Sequence, residues 1–155
     1  MLMFCTLADA GDYTDPGEPG DWNVVALNLQ TSVYTRHFDP DPDHVNDQNL
    51  LALEAVFAND WLAGLTVFDN SFGQNSQFLY VGKTWSISRT GLWYFKLTGG
   101  LLHGYEEPYQ DKIPLNGLGV APAVVPTLGF LYKRIIVEAQ LLGTAAMMVT
   151  TGFRF

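Results

Sequence analysis

Apolar and polar residues alternate with a period of two in segment after segment of this chain. Val25, Leu27, Leu29 and Val33 are separated by Ala26, Asn28, Gln30 and Ser32. Leu51, Leu53, Ala55 and Phe57 alternate with Ala52, Glu54 and Ala58, with Val56 as the exception. Leu79, Val81, Trp85 and Ile87 share one parity, and Tyr80, Gly82, Thr84 and Ser86 the other. Trp93, Phe95, Leu97 and Leu101 oppose Tyr94, Lys96, Thr98, Gly100 and Gly104; Ile135, Val137, Ala139 and Leu141 oppose Glu138 and Gln140. Successive side chains of a strand point to opposite faces, so each segment reads as a strand with one apolar face. Trp61–Phe68, Gly117–Tyr132 and Met147–Phe155 complete a set of eight, close to the ~9–11 residues that a tilted membrane strand needs. Turn sequences separate them: Asp39 to Asp43, Asn59-Asp60, Asn70 to Asn75, Ser88 to Gly91 and Glu106 to Asn116. No helix beyond a turn or two and no second domain is expected.

Composition decides which kind of strand protein this is. Hydrophobic residues make up 48% of the 155 residues, and charged ones only 15%, against about 25% in an average soluble chain. Disorder is excluded, because a core can be buried. The net charge of −8 excludes nucleic acid as a partner, since phosphates need a basic face. No window approaches the ~20 consecutive apolar residues of a helical span. A barrel strand reconciles these facts, because its lipid-facing half lies in every second residue. Glu54, Lys96, Glu138 and Arg154 would then point into the lumen and pair there. Trp61, Trp85, Trp93, Tyr132 and Phe155 at strand ends suit interfacial girdles.

The expectation is an all-β, eight-stranded antiparallel up-and-down transmembrane β-barrel. A soluble lipocalin-like barrel is the alternative and inverts the faces. The direction taken by Leu79, Val81, Phe95, Leu97 and Phe153 separates the two.

The ends of the chain point to export. Met1 to Ala10 is an apolar stretch ending in Ala8-Asp9-Ala10, a small-x-small pattern with no Lys or Arg before it. It reads either as the remainder of a longer secretory signal, truncated at the present start, or as a merely hydrophobic N-terminus. Cys5 is the lone cysteine, so no intrachain disulfide is possible. Residues 1–47 hold nine of the sixteen acids and one base, Arg36. Residues 1–21 are therefore assigned to a residual signal and acidic arm, and 22–155 to a single barrel domain. A final alternating strand closing on Phe153-Arg154-Phe155 fits the targeting strand of bacterial outer-membrane barrels.

One stretch carries a closer likeness. Trp61 to Ser76, with Phe68-Asp69-Asn70-Ser71 entering a loop, runs on to Tyr80-Val81-Gly82-Lys83-Thr84-Trp85. Pro122-Ala123-Val124-Val125-Pro126 and Gly152 to Phe155 follow in order. Together they resemble the lipid A palmitoyltransferase (PagP-like) family, over roughly Trp61 to Phe155. Short sequences with such an Asn-Ser pair occur among phages and proteobacteria. The resemblance implies an outer-membrane barrel that holds a phospholipid acyl chain in its lumen and transfers it to lipid A. Its His, Asp and Ser would correspond to His37 (or His44), Asn70 and Ser71. Asn70 departs from the family's aspartate and can only orient a donor or supply an oxyanion contact. Pro122 and Pro126 would mark a gap that admits lipid laterally. Partners would be the acyl chains of phospholipid or lipopolysaccharide within the membrane. No cofactor or metal is implied, and the chain would be a monomer.

Each of these residues has a plainer reading. Asn70-Ser71-Phe72-Gly73 is a good turn sequence on chemical grounds alone. Counting by twos from Val25 puts His37 on the lipid side unless a bulge intervenes. His103 reads as an interfacial residue at a strand end. Asp39, Asp41, Asp43 and Asp47 are spaced like calcium ligands, but their interposed prolines favour a solvated acidic loop. Pro122 and Pro126 equally mark a bulge near a rim. Gly82, Gly100, Gly104 and Gly152 are expected to leave room in the lumen for a ligand. A non-catalytic barrel acting structurally or through a surface partner is the functional alternative to acyl transfer.

Overall fold

The computed structural model describes residues 20–39, 49–105, 107–108 and 119–155. The alternating segments form eight strands: β1 (Val24–His37), β2 (Leu50–Phe57), β3 (Trp61–Asp69), β4 (Asn75–Ser86), β5 (Trp93–His103), β6 (Val120–Tyr132), β7 (Ile135–Leu142) and β8 (Ala146–Arg154). Each pairs antiparallel with the next, and β1 pairs with β8 to close the barrel. Closure removes the exposed edges that an open sheet would present.

The apolar parity faces outward. Leu79 is 61% exposed, Val81 56% and Phe153 58%, and Phe95 and Leu97 are exposed as well. An all-round apolar exterior is what a barrel presents to hydrocarbon. It overturns the lipocalin-like alternative, whose apolar faces would have turned inward.

The polar parity builds the lumen around Lys96. Lys96 Nζ donates to Glu54 Oε1 and Glu138 Oε2, both at 2.7 Å, and all three residues are at most 3% exposed. The Tyr80 hydroxyl donates to Glu54 Oε1 at 3.1 Å, and that of Tyr94 to Glu138 Oε1 at 2.6 Å. Asn28 and Gln30 amides complete Glu54 at Oε2. Buried charge is tolerated here because each carboxylate has both the cation and neutral donors.

Glycine does something other than the sequence suggests. A Cβ on Gly100 or Gly152 would strike the backbone of the adjoining strand at Leu79 or Leu29, and one on Gly104 would strike Asn75. On Gly82 it would meet Leu97 and Thr98. These glycines let strands approach closely; they do not hold open ligand space. Gly64 and Gly129 instead receive the rings of Tyr80 and Tyr94, which fixes both phenols against their carboxylates.

The barrel has two unlike ends. Short connections, Ala58–Asp60 (β2–β3), 87–92 (β4–β5) and Lys133–Arg134 (β6–β7), lie at one end with the entry to β1 and the end of β8. At the other lie 38–49 (β1–β2), 70–74 (β3–β4), 104–119 (β5–β6) and 143–145 (β7–β8). We call these the turn end and the loop end.

Candidate functional site

The loop-end half of the lumen is a cavity of about 740 Å³. Its walls are apolar, built by Leu50, Phe68, Phe78, Leu102, Val125 and Met148, and its floor is the polar layer of Glu54, Tyr80, Lys96 and Gln140. Ligand pockets typically span ~300–1,000 Å³ with apolar walls and a few polar groups. A second cavity of about 420 Å³ lies on the turn-end side, against Asp60, Trp85, Arg89, Tyr94 and Arg154. The Lys96 layer separates the two.

His37 and Ser71 meet at the mouth of the larger cavity. His37 Nε2 lies 2.7 Å from Ser71 Oγ, and His37 is only 6% exposed. The parity argument against His37 fails for a local reason. Between β1 and β8 the register slips after Ser32↔Thr150, so that Tyr34 pairs with Val149. That bulge adds one residue and reverses which parity points inward. Thr35 and His37 thus enter the lumen while Arg36 faces out. Which ring nitrogen carries the proton follows from the tautomer; Nε2 unprotonated makes His37 an acceptor for the serine proton.

Asn70, next to Ser71 in the chain, is completely buried. Its Oδ1 accepts from the backbone N–H groups of Phe72 and Gln74, closing the turn. Its Nδ2 reaches Gln74, Ser76 and the Gly104 carbonyl, the last at 3.1 Å. Asn70 therefore ties the β3–β4 loop to the start of the β5–β6 loop. An aspartate there could not donate to the Gly104 carbonyl. Asp69 faces the other way and accepts from Asn49 at the outer side.

Tyr105 is the residue that sequence reasoning missed. Directly after Gly104, it is hydrogen-bonded to the side chain and backbone of Ser71 and packs edge-on against Phe72. Burial pushes its phenol above the ordinary value, and the Ser71 hydrogen bonds act against that rise. It stays protonated at neutral pH. The signal was an aromatic following a glycine at a strand end; Gly104 has φ +113°, open to few other residues. His103 in the same stretch is exposed and meets the Gly119 carbonyl at 2.7 Å through Nδ1. Asp39 is exposed on the rim. His44, Asp41, Asp43, Asp47 and the proposed signal segment lie outside the described residues.

Pro122 and Pro126 lie on β6 where its pairing is one-sided. β6 pairs with β5 from Val120 to Phe130, but with β7 only from Thr127 to Tyr132. Above Thr127, β6 runs past the end of β7. There the cavity wall includes the outward-facing Pro122 and Val124 together with Gly143–Ala145 of the β7–β8 turn.

The fold is that of a transmembrane eight-stranded β-barrel. Among solved structures, the chain is similar to the Yersinia pestis outer membrane protein Ail in a phospholipid bilayer nanodisc, at 14% identity and TM-score 0.51, covering 84% of this chain and 99% of that one. It is also similar to a de novo designed transmembrane β-barrel at 11% identity and TM-score 0.51, covering 87% and 98%. No protein-family model and no curated protein matches the chain. The comparisons support the barrel class, and they do not support the specific likeness to lipid A palmitoyltransferases.

Proposed function

We propose that this chain is an outer-membrane barrel, its loop end outward, that takes a lipid acyl chain into its loop-end cavity. The observation that carries this reading is an apolar cavity of about 740 Å³ whose wall reaches the lipid-facing surface at Pro122 and Val124. Short turns at the periplasmic side and longer loops outside are the usual outer-membrane arrangement. A chain entering beside Pro122, where β6 lacks β7 as a neighbour, would stay in an apolar medium throughout. Phospholipid and lipopolysaccharide both supply such chains.

Two activities fit that cavity. In one, holding the chain or engaging a surface partner is the whole function, without chemistry. The structural neighbours favour this non-catalytic reading, since the fold they share requires no reaction. In the other, Ser71 transfers an acyl group. The contact that favours it is the 2.7 Å separation of His37 Nε2 and Ser71 Oγ at the cavity mouth. His37 would take the serine proton as Oγ bonds to the ester carbon and return it to the departing alcohol, the usual division of labour for an activated hydroxyl. Tyr105 would donate to the developing oxyanion, and Asn70 would hold Ser71 in place. Pro122 and Pro126 would frame lipid entry.

Lipid A from cells expressing the chain, examined by mass spectrometry, decides between them. An added acyl chain that disappears with Ser71→Ala supports transfer. No added chain, with a fatty-acid probe still bound by the purified barrel, leaves the non-catalytic reading. If a probe is neither bound nor transferred, the acyl-chain proposal is wrong.

A further inference from the structure

We infer that the turn-end rim docks on anionic phospholipid headgroups, through a belt of Lys and Arg backed by tryptophan. The chain is acidic overall, at −8, yet its described cations gather at the turn end. Lys83, Arg89, Lys133, Arg134 and Arg154 belong there, whereas Lys96 is spent in the lumen and Arg36 lies at the loop end. Arg154 turns inward toward Asn28, which leaves four cations for the rim. Arg89, Lys133 and Arg134 are exposed and Lys83 is half-buried. The acids described at this end are Asp21, turned onto Asn23, and Asp60, half-buried in the β2–β3 turn and close enough to Lys83 to offset part of its charge.

Tryptophan shows the same polarity. All four tryptophans, Trp22, Trp61, Trp85 and Trp93, sit at the turn end and are exposed. Indole rings settle at the headgroup level of a bilayer, so this rim marks an interface. Two of the cations are laid directly on that aromatic ring: Lys83 Nζ is 5.9 Å from the Trp61 centroid, and Lys133 Nζ is 5.5 Å from that of Tyr132. Such stacking holds an ammonium beside the interface without neutralising it. Four cations at headgroup depth, two of them held on aromatic rings, suit phosphodiester headgroups bearing net negative charge. A zwitterionic headgroup offers no such preference.

The test uses the full chain, so that the acids of residues 9–18, which precede this rim, can compete. The protein is reconstituted in phosphatidylcholine bilayers containing a minor fraction of phosphatidylglycerol. Spin-labelled phosphatidylglycerol and phosphatidylcholine report relative association at the protein surface. We expect phosphatidylglycerol to be favoured by about fivefold or more at low salt, the scale of one to two effective surface cations. The preference should fall to near unity in Lys83→Gln/Arg89→Gln/Lys133→Gln/Arg134→Gln and in ~0.5 M NaCl, where screening acts over only a few ångströms. Arg36→Gln, at the loop end, should leave it unchanged. Retained heat-modifiable mobility on gels establishes that each variant is folded; if the quadruple variant does not fold, Lys133→Gln/Arg134→Gln, confined to one exposed turn, should remove about half of the preference. Absence of preference in the unmodified chain overturns the inference. So does a preference that survives the substitutions, or one that Arg36→Gln removes equally well.

Discussion

The two ends of this barrel are built from the same strands and differ in almost everything else. The loop end holds an apolar cavity of about 740 Å³ with His37, Ser71 and Tyr105 at its mouth. The turn end holds a cavity of about 420 Å³ next to Arg89 and Arg154, ringed by all four tryptophans and most of the described cations. The contrast shows where each kind of residue can be spent. At the loop end a strand end, a five-residue connection and the residues just after β5 bring distant polar groups together over a cavity, whereas the turn end presents its aromatic and cationic side chains to the interface. The Lys96 layer lets the ends differ, because it seals one half of the lumen from the other.

The largest expected effect comes from breaking that layer. Lys96→Met leaves Glu54 and Glu138 buried without a cation and should cost about 3–5 kcal/mol, measured by urea unfolding in lipid bilayers. Adding Glu54→Gln and Glu138→Gln should restore much of the loss. Unchanged stability in Lys96→Met would mean that the buried ion pairs of the layer do not stabilise the barrel.

Next are the glycines under the two tyrosines. Gly64→Ala, on the cavity side, and Gly129→Ala, on the turn side, each drive a Cβ into a ring. Each should destabilise by about 1–3 kcal/mol, the usual cost of overpacking. A large loss at Gly129 with none at Gly64 would show that the cavity floor yields while the turn end does not.

Filling the cavity tests its claim to a ligand. Ala123→Trp should weaken binding of a fluorescent fatty-acid probe by roughly tenfold or more, equivalent to about 1.4 kcal/mol. Ser86→Ala beside the smaller cavity should not. Equal effects from both would erase the functional difference between the ends.

The smallest effect is a pH dependence at the turn end. Desolvation raises the Asp60 carboxyl above its ordinary value, against the opposing attraction of Lys83. The folded chain therefore binds that proton more tightly than the unfolded chain. Stability falls as pH rises from the unfolded value through the folded one. Asp60→Asn removes that fall and keeps the carbonyl that receives Thr84 N–H and Oγ1. Its Tm should be slightly higher than that of the unmodified chain at pH 7, and the advantage should vanish at acid pH.

Much of the fold was legible because alternation is a local property. Leu79 and Val81 announce an outward face, and Lys96 and Glu138 an inward one, through parity alone. The candidate site was legible by residue type at Ser71 and His37 but not by geometry. Nothing in Ser32-Val33-Tyr34-Thr35 marks a bulge, since all four residues suit a strand either way, and its position is set by pairing with Thr150 and Val149. The glycines misled for a related reason: a missing side chain reads as space until the neighbouring strand is seen to occupy it.

The sequence by itself determined eight strands, their inward and outward faces and the charges destined for the lumen, because each depends on spacing along one strand. Only the tertiary structure decided that His37 turns inward to meet Ser71, that Asn70 braces the Gly104 carbonyl, and that tryptophan and cations share one rim. Those outcomes depend on how strands from distant parts of the chain align when the barrel closes, and register is a relation between strands that no single strand encodes.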